Sequence, residues 1–100
     1  MRLSPMSLRR LRTQIDRVDR QLLRLLNRRA QLALRVGRIK RQRGLPVFDG
    51  RREQVVLRRL VKVNRGPLSV ASIRMIFAEI LRQSRRLEAA AVARPRRRGR

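Results

Sequence analysis

Apolar residues in the first third of the chain recur at alternating intervals of three and four residues. The positions on this stripe are Leu8, Leu11, Ile15, Val18, Leu22, Leu25, Arg29, Leu32, Val36 and Ile39. Such spacing predicts a long helix with one buried face. We expect the helix to begin near Ser7 and to end near Arg43, because Gly44 and Pro46 follow and both residues stop helices.

Two shorter helices are predicted downstream. The second begins at Asp49 or Gly50 and ends before the loop sequence NRGP at 64–67, and the third begins at Ser69, a favourable N-cap, and continues to about Val92. The chain shows no strand pattern. The sequence therefore predicts an all-α domain over residues 7–92, with an N-terminal extension at 1–6 and a basic, disordered tail at 93–100.

The length of the first helix has a consequence for assembly. A helix of about 35 residues is roughly 50 Å long, whereas a compact domain of this size has a radius of gyration of about 13 Å. Two shorter helices cannot cover so long an apolar stripe. We therefore expect a second copy of the chain to bury it, in a homodimer of intertwined helical bundles.

Composition excludes several kinds of chemistry. The 100 residues contain no cysteine and no histidine, so disulfides, thiolate metal sites and the commonest catalytic base are absent. We expect no metal site. No apolar run is long enough for a membrane span and the N-terminus lacks the continuous apolar core of a secretory signal, so we expect a cytoplasmic protein with no membrane partner.

The chain is strongly basic, with 29 Lys and Arg against 6 Asp and Glu and a formal net charge of +23. This charge raises the alternative of a helical nucleic-acid-binding protein, which the arginines of the tail support. Only two of the 29 basic residues, Lys40 and Lys62, are lysine, and uniform arginine enrichment is more typical of compositional bias. Two phenylalanines are the only aromatic residues, which leaves little for bases to stack on. We expect no specific nucleic-acid partner.

Polar residues interrupt the apolar faces of all three predicted helices. They are Arg29, Lys40, Arg52, Glu53, Ser84 and Glu88. Taken singly, each has a structural explanation: Arg29 pairs with Glu53 or Glu88, Ser84 bonds to its own helix, and Asp49 is an N-cap. Taken together, they predict a polar pocket within a bundle, with an excess of cations suited to a small anion that carries more than one carboxylate or phosphate. Because no activated nucleophile is evident, catalysis there would depend on binding and electrostatic stabilisation.

Three segments resemble the all-helical class of chorismate mutases. They are residues 11–40, which contain L-R-x-x-I-D-x-x-D and V-G-x-x-K, residues 45–53, which contain P-V-x-D-x-x-R-E, and residues 66–88. From the first to the last residue, they span 11–88, roughly four fifths of the chain. The resemblance implies an isomerase of phenylalanine and tyrosine biosynthesis, which rearranges chorismate to prephenate without a cofactor or a covalent intermediate.

The resemblance also implies a role for each pocket residue. Arg29, with Arg12 from the partner subunit of a homodimer, binds the two carboxylates of chorismate. Lys40 and Glu88 donate hydrogen bonds to the ether oxygen from opposite sides. Glu53 and the backbone near Asp49 bind the ring hydroxyl, and Arg52 orders that wall of the pocket. Ser84 contacts the ring carboxylate.

The chain departs from the family pattern at Glu88, where many members carry glutamine. A carboxylate donates a hydrogen bond only when it is protonated, so we expect activity to depend on pH more strongly than in a Glu88→Gln variant.

Two further alternatives stay open. An isochorismate-pyruvate lyase of the same fold shares the cationic clamp but lacks the D-x-x-R-E pattern of residues 49–53, and another shikimate-pathway enzyme is a possible partner.

Overall fold

The structure, a computed structural model, describes residues 5–93, with the side chains of residues 7–91. Over this range the chain forms three α-helices and no strand: α1 (Pro5–Arg43), α2 (Gly50–Val63) and α3 (Val70–Ala93). The predicted all-α class and the three helices are confirmed. No helix among the described residues is both long enough and apolar enough to cross a membrane. Residues 94–100, most of the predicted tail, lie outside the described range, as do residues 1–4.

The helix boundaries follow local capping chemistry. Helix α1 begins at Pro5, two residues before the predicted Ser7, because the fixed φ of proline suits the first helical position. The Asp49 carboxylate accepts a hydrogen bond from the backbone N–H of Arg52 at 3.0 Å and caps α2. The Ser69 hydroxyl accepts from the N–H of Ser72 at 3.0 Å and caps α3. Both predicted N-caps are confirmed.

The end of α1 is a left-handed turn that only glycine adopts easily. Gly44 has a φ of +65°, and the N–H groups of Gly44 and Leu45 donate to the carbonyls of Arg41 and Lys40 at 3.3 and 2.8 Å. This pair of bonds is the Schellman arrangement, which satisfies carbonyls left over at a helix end. The turn fixes the direction in which the chain leaves Lys40 toward α2.

The chain divides into two units, Met1–Gln31 and Leu32–Arg100, with the boundary inside α1. In the first unit, the apolar stripe of α1 is open to solvent. Its large apolar side chains from Leu8 to Leu26 are 42–62% exposed. From the sequence, we expect a second copy of the chain to cover this stripe.

The second unit contains the core. Its buried apolar residues are Ala33, Ile73 and Leu81. Helices α2 and α3 contact each other, and the 32–43 part of α1 approaches α3 at Gly37. These contacts place the C-terminal end of α1, the first turn of α2 and the second half of α3 around one region, in which most of the predicted pocket residues lie.

Candidate active site

One ion pair in this region joins α1 to α3. The Lys40 Nζ donates to Glu88 Oε1 at 2.6 Å and to the backbone carbonyl of Val47 at 2.6 Å. The two charged side chains are only 16% and 13% exposed. Among the described residues, these contacts use two of the three N–H donors of the ammonium, and the third is available to a ligand. The lysine is held from two directions, by the loop that follows its own helix and by the neighbouring helix.

Gly37 makes that ion pair geometrically possible. A Cβ atom on Gly37 would lie 2.9 Å from both Cα and the carbonyl oxygen of Glu88, and 3.0 Å from the Cβ of Ala91. Such distances are sterically forbidden to a side chain, so only glycine allows this approach. Because Gly37 lies one turn before Lys40 on the same face of α1, the close approach brings the Glu88 carboxylate within reach of the ammonium.

A second ion pair joins α2 to α3. One guanidinium nitrogen of Arg85, Nη1, donates to both carboxylate oxygens of Glu53, at 2.5 and 2.6 Å. The Arg85 guanidinium also lies over the ring of Phe48, 5.6 Å from its centroid, a distance at which a cation and an aromatic ring attract each other. Three different segments, the loop before α2, the first turn of α2 and α3, therefore meet at Arg85.

The roles of Gly37 and Arg85 were not predicted from the sequence. In the sequence, Gly37 is an unfavourable residue inside a predicted helix. Its position in V-G-x-x-K, three residues before a lysine on the buried face, is a signal of close packing. Arg85 is hidden among many arginines, and its only signal is its position beside Ser84 and three residues before Glu88. The two glutamates, expected to face a substrate, are each paired with a cation.

The other predicted residues of this unit show mainly structural contacts. Ser84 is buried and its hydroxyl donates to the carbonyl of Ile80 at 3.0 Å, which matches the structural explanation offered for it. Asp49 is the cap of α2, and its side chain and that of Arg52 are exposed. Within the described residues, no group of three or more acidic side chains is placed to hold a metal ion.

Two predicted residues, Arg12 and Arg29, belong to the first unit. Arg12 is exposed on α1, and Arg29 is half-buried. Arg29 is thus less exposed than the leucines that precede it on the same stripe, as expected for a residue on a buried face.

Comparison with known proteins identifies the family. The model of chorismate mutase type II matches residues 11–89. A chorismate mutase structure (form II) from Thermus thermophilus has a TM-score of 0.81 and 40% identity, over 82% of this chain and 93% of that one. A Helicobacter pylori chorismate mutase, solved in complex with prephenate, has a TM-score of 0.81 and 29% identity, over 89% of this chain and 97% of that one.

The same relationship extends to larger proteins. The bifunctional chorismate mutase/prephenate dehydratase of Aquifex aeolicus is 37% identical in an alignment of 78 positions, which covers 74% of this chain and 22% of that protein. The chain spans about a fifth of the length of the first such curated relatives that it matches. The match over most of the chain, to separate enzymes and to one part of bifunctional ones, establishes that this chain belongs to the family of type II chorismate mutases.

Proposed function

We propose that this chain is a chorismate mutase, which rearranges chorismate to prephenate in phenylalanine and tyrosine biosynthesis. The observation that carries the proposal is the Lys40–Glu88 pair at 2.6 Å, with the lysine also held by the Val47 carbonyl. The reaction is intramolecular: one C–O bond breaks as one C–C bond forms, and no atom enters or leaves. A site that performs it needs only to hold one conformer and to stabilise the charge that develops on the ether oxygen.

Lys40 and Glu88 are the proposed donors to that oxygen. As the C–O bond lengthens, negative charge grows on the oxygen, and the remaining N–H of Lys40 stabilises it. Loss of one such donor costs about 3 kcal/mol of transition-state stabilisation in comparable sites. Glu88 assists only as a carboxylic acid, because the ionised form accepts hydrogen bonds and repels the growing charge. A protonated Glu88 can accept from Lys40 through its carbonyl oxygen while its O–H donates to the ether oxygen.

The carboxylates of chorismate are assigned to arginines of α1. We carry over Arg29, and Arg12 from a partner subunit, on the strength of family membership and the motif in residues 11–40. A guanidinium binds a carboxylate through two parallel N–H donors, which fixes orientation as well as charge. With Ser84 near the ring carboxylate, this clamp selects the conformer in which the two reacting carbons are close.

The ring hydroxyl is assigned to the first turn of α2. Glu53 supplies a carboxylate acceptor, the backbone near Asp49 supplies a second polar contact, and Arg52 orders this wall of the pocket. The Asp49 cap supports the assignment, since it fixes the first turn that carries Glu53.

A homodimer is part of the proposal. Burial of apolar surface contributes about 25 cal/mol per Å², and α1 exposes eight large apolar side chains from Leu8 to Leu26, six of them on the stripe. A second copy presents the same stripe, as a twofold axis requires, and brings Arg12 to the other subunit's site.

Because relatives carry a prephenate dehydratase on the same chain, we also propose a prephenate-consuming enzyme as a pathway partner in the cytoplasm.

Incubation of the purified protein with chorismate and, separately, with isochorismate tests the proposal. Prephenate from the first and no salicylate from the second is the expected result. Salicylate and pyruvate from isochorismate would instead support the lyase. Binding to nucleic acid that weakens steeply with salt is expected from the charge alone and supports neither enzyme.

A further inference from the structure

We propose that Arg85 is a positioning residue, which holds the Glu53 carboxylate in the orientation that accepts a hydrogen bond from the ring hydroxyl of the substrate. This inference rests on the proposed function and deepens it, because it adds to the hydroxyl wall a cation on α3 to which the family resemblance assigns no role. The observation behind it is the three-way contact of Arg85 with Glu53 and Phe48.

The geometry of the pair leaves the carboxylate able to accept a further bond. The Nη1 atom of Arg85 lies 2.5 and 2.6 Å from the two oxygens of Glu53, so a single nitrogen bridges both. A carboxylate has about four acceptor positions, and this contact occupies one on each oxygen. The carboxylate plane is fixed while the outer acceptor positions stay available to a hydroxyl.

Arg85 is itself held in place. Its guanidinium stacks over Phe48, and the ring of Phe48 lies so close to Gly50 that a Cβ there would be 3.1 Å from it. The ring therefore lies against the start of α2, one turn from Glu53. A lysine would keep the charge, but not the planar group that lies over the ring.

A second arginine–glutamate pair on the same helix provides the contrast. Arg82 donates to Glu79 at 3.1 and 2.7 Å within α3, and both side chains are 53% exposed. These hydrogen bonds lower the pKa of Glu79, but an exposed pair of this kind contributes little to stability. Arg85 and Glu53 are 32% and 20% exposed and belong to different helices, so their contact can hold a side chain at the pocket wall.

A double-mutant cycle tests the inference. Arg85→Ala, Glu53→Ala and the double variant are compared with the wild type for kcat and KM with chorismate, with Arg82→Ala as the matched control. We expect Arg85→Ala to raise KM about tenfold, as expected for loss of a hydrogen bond to a charged group, with kcat changed by less than about threefold. Because Arg85 acts through Glu53, the double variant should be no worse than Glu53→Ala. Arg82→Ala should match the wild type.

Three outcomes overturn the inference: additive losses in the double variant, an unchanged KM in Arg85→Ala, or a reduced melting temperature as the only effect. Arg85→Lys keeps the charge and serves if the alanine variant does not fold; it should recover part of the KM loss. If the wild type does not convert chorismate, the proposed function fails first and the inference fails with it. That result is distinct from an active wild type in which Arg85→Ala changes nothing.

Discussion

The Lys40 ammonium and the Glu88 carboxylate lie 2.6 Å apart, although 48 residues separate them along the chain. The contact exists because Gly37 lets α3 approach the backbone of α1 closely, and because the Schellman turn after Arg43 brings the Val47 carbonyl to the same ammonium. One glycine and one turn thus position the two groups that are proposed to stabilise the negative charge on the ether oxygen as its bond to carbon breaks.

Glu88→Gln should flatten the dependence of activity on pH. Only the protonated acid donates a hydrogen bond, so kcat/KM should depend on pH more strongly in the wild type than in the variant. An amide donates at every pH. Rates measured from about pH 5 to 8 should therefore diverge, with the variant ahead at the alkaline end. Flat, parallel profiles for the two proteins would contradict the role given to Glu88.

Gly37→Ala should destabilise the protein and lower its activity. Alanine in a helix interior is normally favoured over glycine by about 0.5–1 kcal/mol, but here the added methyl would be 2.9 Å from the Glu88 backbone. Overpacking of this kind costs about 1–3 kcal/mol, so the clash should outweigh the gain and displace Glu88 from Lys40.

Gly66→Ala is the matched control for Gly37→Ala, since a Cβ there meets nothing within 4 Å. Thermal unfolding and chorismate turnover are measured for both. A Gly37→Ala protein that melts no lower than the control would show that the approach of the two helices is looser than these distances indicate.

Ile15→Glu should abolish the homodimer. Ile15 is 57% exposed on the α1 stripe, and an unpaired charge buried at an interface costs several kcal/mol. Thr13→Glu adds the same charge on the opposite side of the helix, where the exposed Thr13 hydroxyl donates to the Arg9 carbonyl of its own helix. Light scattering should find monomers of the first variant and dimers of the second. If both variants are dimers, the stripe is not the dimer interface.

Mixing two inactive variants should restore activity if Arg12 acts across the interface. The Arg12→Ala chain supplies Lys40, and the Lys40→Ala chain supplies Arg12, so each mixed dimer contains one complete site. Random exchange of a twofold dimer should yield about a quarter of wild-type activity. If Arg12 acts within its own chain, no mixed dimer contains a complete site and the mixture stays inactive.

The three helices could be predicted from the sequence because their signals are local. The apolar periodicity of α1 continues on both sides of Gly37. Asp49 and Ser69 cap their helices by accepting from the N–H three residues further along the chain. Pairing between helices is a different kind of information. Whether Glu53 contacts Arg85 or another arginine depends on the relative rotation of α2 and α3, which periodicity in one helix does not specify.

The candidate site shows the same division. Lys40, Glu53, Ser84 and Glu88 were singled out because they lie on apolar faces, and the structure brings Lys40 and Glu88 into direct contact. The partners of the two glutamates, Lys40 and Arg85, were not foreseen, because the sequence argument counted charges on each helix separately. The close approach at Gly37 was likewise invisible, since it is a property of two helices.

The most direct test of the account is chorismate turnover by the wild type, by Arg29→Ala and by Arg28→Ala, followed by the loss of chorismate absorbance. Arg28 is the exposed neighbour of the half-buried Arg29 on α1, so it controls for lost charge. We expect the wild type and Arg28→Ala to form prephenate and Arg29→Ala to lose at least about 100-fold in kcat/KM, the size of effect seen when one strong electrostatic contact is removed. An inactive wild type, or an Arg29→Ala protein as active as the wild type, would contradict the account.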